Sequence, residues 1–152
     1  ERRLPTRTLV DQFESWDHVE RLSTPSNWKL DETNPRFFEG DTSRASRQGT
    51  TTTEFVEYER RRIRSVAVRL YYWESADPTD LSVYASEDGW SYDELPMATR
   101  DDTGTTGGWR RVDLRPATAL PTGTSVLRLQ IAGDGRSWDK QLSTVRIEYA
   151  DT

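Results

Sequence analysis

The sequence predicts an all-β fold, a sandwich of two antiparallel sheets, in a chain of 152 residues. Aromatic residues make up 11% of the chain, and Thr, Ser, Gly and Pro recur in short clusters. This composition is typical of short strands joined by turns. Several segments also alternate apolar and polar residues, which places successive side chains on opposite faces of a pleated strand. No segment shows a sustained helical period.

The length fits one domain, since a chain of this size buries about 70% of the surface that it exposes when unfolded. Residues 1–7, ERRLPTR, are polar and include a proline, so we expect a linker remnant there. Residues 8–152 form the single predicted domain. Its first strand is expected within TLVDQFESW at 8–16, and the irregular segment 17–49 is expected to contain a long functional loop.

The clearest strands follow residue 53. EFVEYE at 54–59 precedes IRSVAVRLYYW at 63–73, where a slip in the alternation between 63 and 66 predicts a β-bulge. LSVYASE, WRRVDLRP and SVLRLQIAG repeat the alternation, and TVRIEYA at 144–150 closes the sheet. The residues predicted to face the core are Ile63, Val66, Val68, Leu70, Tyr72, Leu81, Val83, Ala85, Val112, Leu114, Leu127, Leu129, Ile131, Val145, Ile147 and Tyr149.

The stretch VYASEDGWSYDEL predicts a hairpin, because Gly89 after Asp88 supports the positive φ of a tight turn. A strand followed by Ser86, Asp88, Gly89 and an aromatic, Trp90 or Tyr92, resembles the hairpin of galactose-binding-like jelly rolls. That group includes discoidin domains and many carbohydrate-binding modules. Trp90 is expected to act as a packing residue that covers the end of the sandwich.

The resemblance continues along the chain. GWRRVDL, SVLRLQI and WDKQLSTVRIEY are similar to the later strands of that group, so the resemblance covers roughly residues 63–149. The order from DQFESW through FFEGDTSRASR also resembles accessory domains of secreted polysaccharide-degrading enzymes. The resemblance implies a jelly-roll fold, a secreted location, and a catalytic domain of a parent enzyme as partner.

Composition excludes several functions. The net charge of -5 argues against nucleic acid, because neutralising phosphates requires a basic surface. The chain has no cysteine, so it holds no disulfide, thiolate metal site or cysteine nucleophile. No apolar run approaches the ~20 residues that span a bilayer, so we expect no membrane partner.

Catalysis has few candidate residues. His18 is the single histidine, and it lies in the polar segment WDHVE. The serines lack the Gly-x-Ser-x-Gly pattern of a nucleophile elbow. Two carboxylates facing each other across a cleft would suit glycoside hydrolysis, but with 26 Asp and Glu the sequence singles out no pair. We therefore predict a non-enzyme.

Sugar binding requires flat aromatic faces for pyranose C–H groups and planar polar side chains for hydroxyls. Trp73 ends its strand beside the turn ESADPTD, and Trp109 follows the Gly-rich loop DDTGTTGG, which brings backbone close to a ligand. If their strands share one sheet, the outward residues form a binding platform: Trp73, Trp109, Tyr71, Tyr84, Arg69, Arg111 and Gln130. The alternative is a loop edge that contains Trp16, Trp28, Phe37, Phe38, Trp90 and Trp138.

A structural calcium ion is implied by the resemblance to jelly rolls. FFEGDTSR offers Glu39, Asp41 and nearby carbonyls, and Glu148 or Glu14 would complete a set of hard oxygen ligands. The family pattern often has a Glu near the start of the final strand, where this chain has Ser143 and Thr144. A solvated acidic turn is the competing interpretation.

The basic run ERRRIR at 59–64 indicates either an anionic ligand, such as a uronic acid chain, or a solvated hairpin turn. These observations together predict a non-catalytic carbohydrate-binding module that targets a parent enzyme to a polysaccharide or oligosaccharide. One alternative is a structural sandwich that packs on a catalytic domain without binding glycan. A second is a small polysaccharide lyase or hydrolase that uses carboxylates and His18.

Overall fold

A computed structural model describes residues 5–102 and 106–150 of the chain. Residues 1–4 of the predicted linker, 103–105 of the Gly-rich loop and 151–152 at the end of the predicted domain lie outside the described residues. The strands are β1 (Thr6–Asp11), β2 (Arg21–Leu22), β3 (Trp28–Asp31), β4 (Arg44–Arg47), β5 (Glu54–Glu59), β6 (Ile63–Trp73), β7 (Leu81–Ser86), β8 (Tyr92–Glu94), β9 (Met97–Asp102), β10 (Trp109–Pro116), β11 (Val126–Ile131) and β12 (Lys140–Ala150).

The strands form two antiparallel sheets. One sheet has seven strands in the order β3-β4-β12-β6-β10-β9, and β1 also pairs with β12. The other has five strands in the order β2-β5-β11-β7-β8. The inner faces of the two sheets enclose one core, so the predicted two-sheet antiparallel β-sandwich is confirmed. The described residues contain no helix long and apolar enough to cross a membrane.

The core forms where the alternation predicts it. Every residue assigned to the core is buried, apart from Tyr149, which packs against it partly buried. The β12–β6 register shifts between the pairs Glu148↔Ser65 and Tyr149↔Ile63, which confirms the predicted bulge. An inward carboxylate is also accommodated, since the Tyr58 hydroxyl donates to Asp11 Oδ2 at 2.7 Å.

The strand boundaries differ from prediction in three places. β1 begins at Thr6 opposite Ala150, two residues before the predicted domain start. β12 begins at Lys140 rather than at residue 144. The segment predicted as irregular, 17–49, contains β2, β3, β4 and two short 3-10 helices, Pro25–Asn27 and Pro35–Phe38.

The predicted hairpin is present as β7 and β8. Asp88 Oδ1 accepts the backbone N–H groups of Trp90 and Ser91, and Gly89 has a φ of 81°. The prediction that Trp90 covers the sandwich end is wrong, because its side chain is 89% exposed. The packing aromatic is Tyr92, whose hydroxyl donates to Glu57 at 2.7 Å.

Replacing Trp90 by alanine is therefore expected to change the free energy of unfolding by no more than about 0.5 kcal/mol, the usual range for an exposed position. Urea denaturation followed by circular dichroism measures this quantity. A loss of 2 kcal/mol or more, on the order expected for a buried side chain, would restore the packing role.

Candidate functional site on the outer face of the seven-stranded sheet

Five of the seven predicted binding residues lie on one surface, the outer face of the seven-stranded sheet. The register of β6 and β10 pairs Trp73 with Trp109 and Tyr71 with Arg111, and it places Arg69 opposite Asp113. Their neighbours in each strand, such as Leu70 and Val112, point into the core. Alternation therefore assigns these five side chains to the outer face.

The prediction of one platform is wrong for Tyr84 and Gln130. Tyr84 belongs to β7 and Gln130 to β11, and both strands lie in the five-stranded sheet. Their outward side chains therefore face the solvent on the opposite side of the sandwich, on the outer face of the five-stranded sheet. The aromatics of the predicted loop edge are also dispersed: Trp28 is in the core, Trp16 packs against it, and Phe37, Phe38 and Trp138 lie beside Trp73.

A second hydrophobic cluster covers one end of the outer face. This aromatic cluster consists of Phe37, Phe38, Tyr71, Trp73, Trp109 and Trp138. Trp109 lies at its centre, with ring-centroid distances of 4.6 Å to Phe38, 5.7 Å to Trp73 and 5.9 Å to Trp138. Trp109 is only 7% exposed. Other aromatic rings therefore cover the ring face on which the prediction placed a sugar. Trp73 stays partly exposed at the rim.

Gly107 and Gly108 make this packing possible. A Cβ on Gly107 would lie 2.7 Å from Phe37 Cε1, and a Cβ on Gly108 would lie 2.7 Å from Trp73 Cη2. Both residues also have positive φ, 71° and 89°. The Gly-rich loop was predicted to bring backbone close to a ligand, whereas these two glycines bring backbone close to the aromatic cluster.

Next to the aromatic cluster is a polar cavity of about 510 Å³. The side chains that line it come from β6, β10, β12, the segment after β1 and the loop that joins β3 to β4. They are Gln12, Glu14, Phe38, Glu39, Asp41, Thr42, Arg69, Tyr71, Arg111, Ser143 and Thr144, with Gly40 between Glu39 and Asp41. Three predicted binding residues, Arg69, Tyr71 and Arg111, thus share one concave surface.

Glu39 connects the loop to the sheet. It follows the short helix Pro35–Phe38 in a left-handed conformation, with a φ of 54°. Its Oε1 accepts hydrogen bonds from the Tyr71 hydroxyl at 2.9 Å and from Arg111 Nη1 at 2.6 Å. Burial and the hydrogen bond to Glu39 raise the pKa of Tyr71, so its hydroxyl remains a donor.

Arg69, on the wall of the cavity, is held by an ion pair with Asp113. Arg69 Nε lies 2.9 Å from Asp113 Oδ1, and Nη2 lies 3.4 Å from Oδ2, an arrangement with two parallel contacts. About 41% of the Arg69 side chain and 39% of the Glu39 side chain remain exposed. The cavity therefore presents fixed donors and acceptors to the solvent, the groups that pair with vicinal hydroxyls.

Of the carboxylates considered for calcium, Glu14, Glu39 and Asp41 line the polar cavity and Glu148 does not. Glu39 Oε1 already accepts from two protein donors, and Asp41 accepts from Ser43 N at 3.0 Å and Ser143 Oγ at 2.5 Å. The Arg111 guanidinium at Glu39 would also repel a cation. Glu148 lies elsewhere, in a cavity lined by Arg64, Arg115 and Arg146. Within residues 5–102 and 106–150 no three acidic or histidine side chains are grouped to hold a metal.

Sequence reasoning missed Arg44 and Gln141, which contact the aromatic cluster at Phe38 and Trp138. Arg44 is fully buried, donates through Nε to Gln141 Oε1 at 2.8 Å, and has its Cζ 3.7 Å above the Phe38 ring. A buried arginine breaks the apolar pattern of a strand, so β4 gave no periodic signal. His18 is exposed and does not line the polar cavity.

The comparisons with known proteins concern the fold. No protein-family model and no curated protein matches the sequence. The Agl-KA catalytic domain matches with a TM-score of 0.50 and 15% identity over 97% of this chain and 28% of that chain. The chain is a jelly-roll β-sandwich, as predicted.

Two further structures match at lower scores. The catalytic domain of a GH87 α-1,3-glucanase in complex with tetrasaccharides has a TM-score of 0.47 and 16% identity, over 98% of this chain and 29% of that chain. A β-1,3-glucan binding CBM6 from Bacillus halodurans has a TM-score of 0.45 and 17% identity, over 95% and 96% of the two chains. The jelly roll described here thus spans less than a third of both longer chains.

Proposed function

We propose that this jelly roll is a non-catalytic carbohydrate-binding module that holds a parent enzyme on a polysaccharide. The observation that carries the proposal is the polar cavity, in which Glu39, Arg69, Tyr71 and Arg111 present preorganised hydrogen-bonding groups beside the partly exposed ring of Trp73. Charged groups fixed by their neighbours bind hydroxyls without a further ordering cost. Linkage to an enzyme makes a weak single site effective, because it raises the local concentration of substrate.

The solved structures support this proposal through the descriptions of the chains in which the similar fold occurs. The first two matched chains are described as catalytic domains, one of them of an α-1,3-glucanase, and the third as a glucan-binding module. A parent glycoside hydrolase and a secreted location belong to the same proposal. A non-catalytic role is favoured because Glu39 and Asp41 are occupied by protein donors and His18 lies apart from them.

Affinity electrophoresis through gels that contain neutral and acidic polysaccharides tests the proposal. We expect at least one polymer to retard the wild type, and Arg69→Gln and Glu39→Gln each to weaken that binding about tenfold or more. Each change removes a charge-assisted hydrogen bond worth about 1.5–3 kcal/mol, and 1.4 kcal/mol corresponds to a factor of about ten. The unfolding midpoints of these variants should stay close to that of the wild type, because exposed ion pairs add about 0–1 kcal/mol.

Gln130→Ala provides the matched control. Gln130 was predicted to bind with the others, but it lies on the outer face of the five-stranded sheet. We expect its replacement to leave retardation unchanged. Loss of binding in Gln130→Ala with full binding in Arg69→Gln would move the site to the other sheet. If no polymer retards the wild type, the carbohydrate-binding proposal fails and the structural accessory domain is favoured.

A further inference from the structure

A second cavity lies beyond the proposed polar cavity, at the other end of the same outer face. This basic groove has a volume of about 550 Å³. Arg115 of β10 and Arg146 of β12 flank Ala67 of β6, because Arg146 pairs with Ala67 and Leu114, the neighbour of Arg115, pairs with Val68. A small residue between two long cationic side chains leaves a channel with positively charged walls.

The two guanidinium groups are not engaged by the protein. Neither Arg115 nor Arg146 makes a hydrogen bond or ion pair within residues 5–102 and 106–150. Arg64 lines the same groove and donates to Thr6 Oγ1 at 3.2 Å, an uncharged partner. Among the residues that the structure describes, Glu148 is the one acidic residue that lines the groove. Three cationic side chains therefore face one carboxylate.

Neighbouring arginines extend this charge. The turn that carries Arg60, Arg61 and Arg62 lies against the end of β12, where Ala150 N donates to the carbonyls of Arg61 and Arg62. Basic residues are thus concentrated at one end of the sandwich, although the net charge of the protein is -5. A surface charge opposite in sign to the whole protein indicates a specific anionic partner, because the net charge opposes non-specific attraction of anions.

The shape of the groove favours a sugar polymer over a small anion. Apolar walls from Pro116 and Leu120 adjoin the arginines, which suits a ring that carries both C–H faces and an acidic group. The groove also continues the polar cavity along β6, where the outward positions from Ser65 to Trp73 extend over roughly 26 Å at about 3.3 Å per residue. This length accommodates an extended chain.

We propose that the basic groove binds the acidic groups, carboxylate or sulfate, of an anionic polysaccharide whose chain lies along the outer face of the seven-stranded sheet. The inference rests on the proposed carbohydrate-binding function and names its ligand class. Guanidinium groups bind carboxylate or sulfate oxygens through two parallel N–H donors. Arg115 and Arg146, on strands that flank β6, would hold acidic groups on both sides of the polymer.

The test is affinity electrophoresis in four gels that contain polygalacturonate, its fully methyl-esterified form, dextran sulfate or neutral dextran. The variants are Arg115→Gln, Arg146→Gln and the double variant, and both side chains are exposed, so the fold should be unaffected. Lys29→Gln in the edge strand β3 removes the same charge away from the groove. We expect retardation by at least one acidic polymer, about a tenfold loss in each single variant, a larger loss in the double variant, and little change in Lys29→Gln.

The outcomes separate this inference from the proposed function. Retardation by polygalacturonate alone assigns carboxylates, retardation by dextran sulfate alone assigns sulfates, and retardation by both assigns the shared chemistry. Binding to neutral dextran or to the esterified polymer without binding to the acidic ones overturns the inference and leaves the proposed function standing. Equal losses in Lys29→Gln and the double variant would show a general charge effect and overturn the inference. If the wild type binds none of these polymers or any other polysaccharide, both fail.

Discussion

Trp109→Ala is expected to lower the free energy of unfolding by about 3–5 kcal/mol, the range for removing a buried tryptophan. Trp109 is 7% exposed and contacts Phe38, Trp73 and Trp138, so its loss leaves a cavity at the centre of the aromatic cluster. For a chain of this length the change corresponds to a fall in Tm of about 6–20 °C. Differential scanning calorimetry measures it directly.

Trp73→Ala serves as the comparison for Trp109→Ala. Trp73 contacts Trp109 and Trp138 but stays partly exposed at the rim, so its removal should cost clearly less stability. If Trp109→Ala kept the wild-type Tm and abolished glycan binding, Trp109 would act as a ligand contact and the packing explanation would be wrong. Binding measurements on Trp109→Ala are informative only below its lowered Tm.

Local periodicity was sufficient to predict the strands that bury apolar side chains on one face. The alternation in β6, β10 and β11 identified the inward residues, and a slip after Ile63 identified the bulge. It also identified Arg69, Tyr71 and Arg111 as outward, and these three residues do line one cavity. A period of two residues is a property of a single strand, so the sequence contains it without reference to any partner.

Long-range pairing was not contained in that signal. Tyr84 and Gln130 have the same outward pattern as Arg69, but their strands belong to the other sheet. Alternation shows which side chains share a face of one strand, and it does not show which strands are neighbours. The assumption of a single platform failed for this reason.

Buried charge explains the strand that was missed. All four residues of β4, RASR, are buried, and both arginines are among them. Arg47 donates to the carbonyl of Ala132, 85 residues away, and Arg44 donates to Gln141, 97 residues away, as well as to the nearer carbonyls of Asp41 and Thr33. Sequence patterns treat arginine as a surface residue, because the groups that compensate its burial come largely from other segments of the fold.

Asp139, another distant partner of Arg47, is the site of the second large effect that we expect. Asp139→Asn should lower the free energy of unfolding by about 3–5 kcal/mol, because it removes the shared carboxylate of two buried cations. Asp139 Oδ1 lies 3.1 Å from Lys140 Nζ and 3.4 Å from Arg47 Nη2, and both cationic side chains are at most 1% exposed. After the change, Asp80 at 3.1 Å is the carboxylate left to Lys140.

Asp139 also makes hydrogen bonds in the loop that carries Trp138. Asp139 Oδ2 accepts the Arg136 backbone N–H at 2.8 Å, and the Asp139 carbonyl accepts from Trp73 N at 2.9 Å. The carboxylate thus joins the charge network to the loop that supports the aromatic cluster. Denaturant unfolding measures the loss of stability, and an unchanged m-value would show that the same transition is being compared.

Asp113→Asn is the matched control for Asp139→Asn. It also removes one carboxylate from an arginine pair, but its side chain is 30% exposed, so we expect a cost of about 0–1 kcal/mol. A double variant, Asp139→Asn with Lys140→Met, should recover part of the lost stability, because it removes one of the unpaired cations. A loss of less than about 1 kcal/mol in the free energy of unfolding of Asp139→Asn would mean that water solvates Arg47 and Lys140. The burial of their charges would then not depend on Asp139.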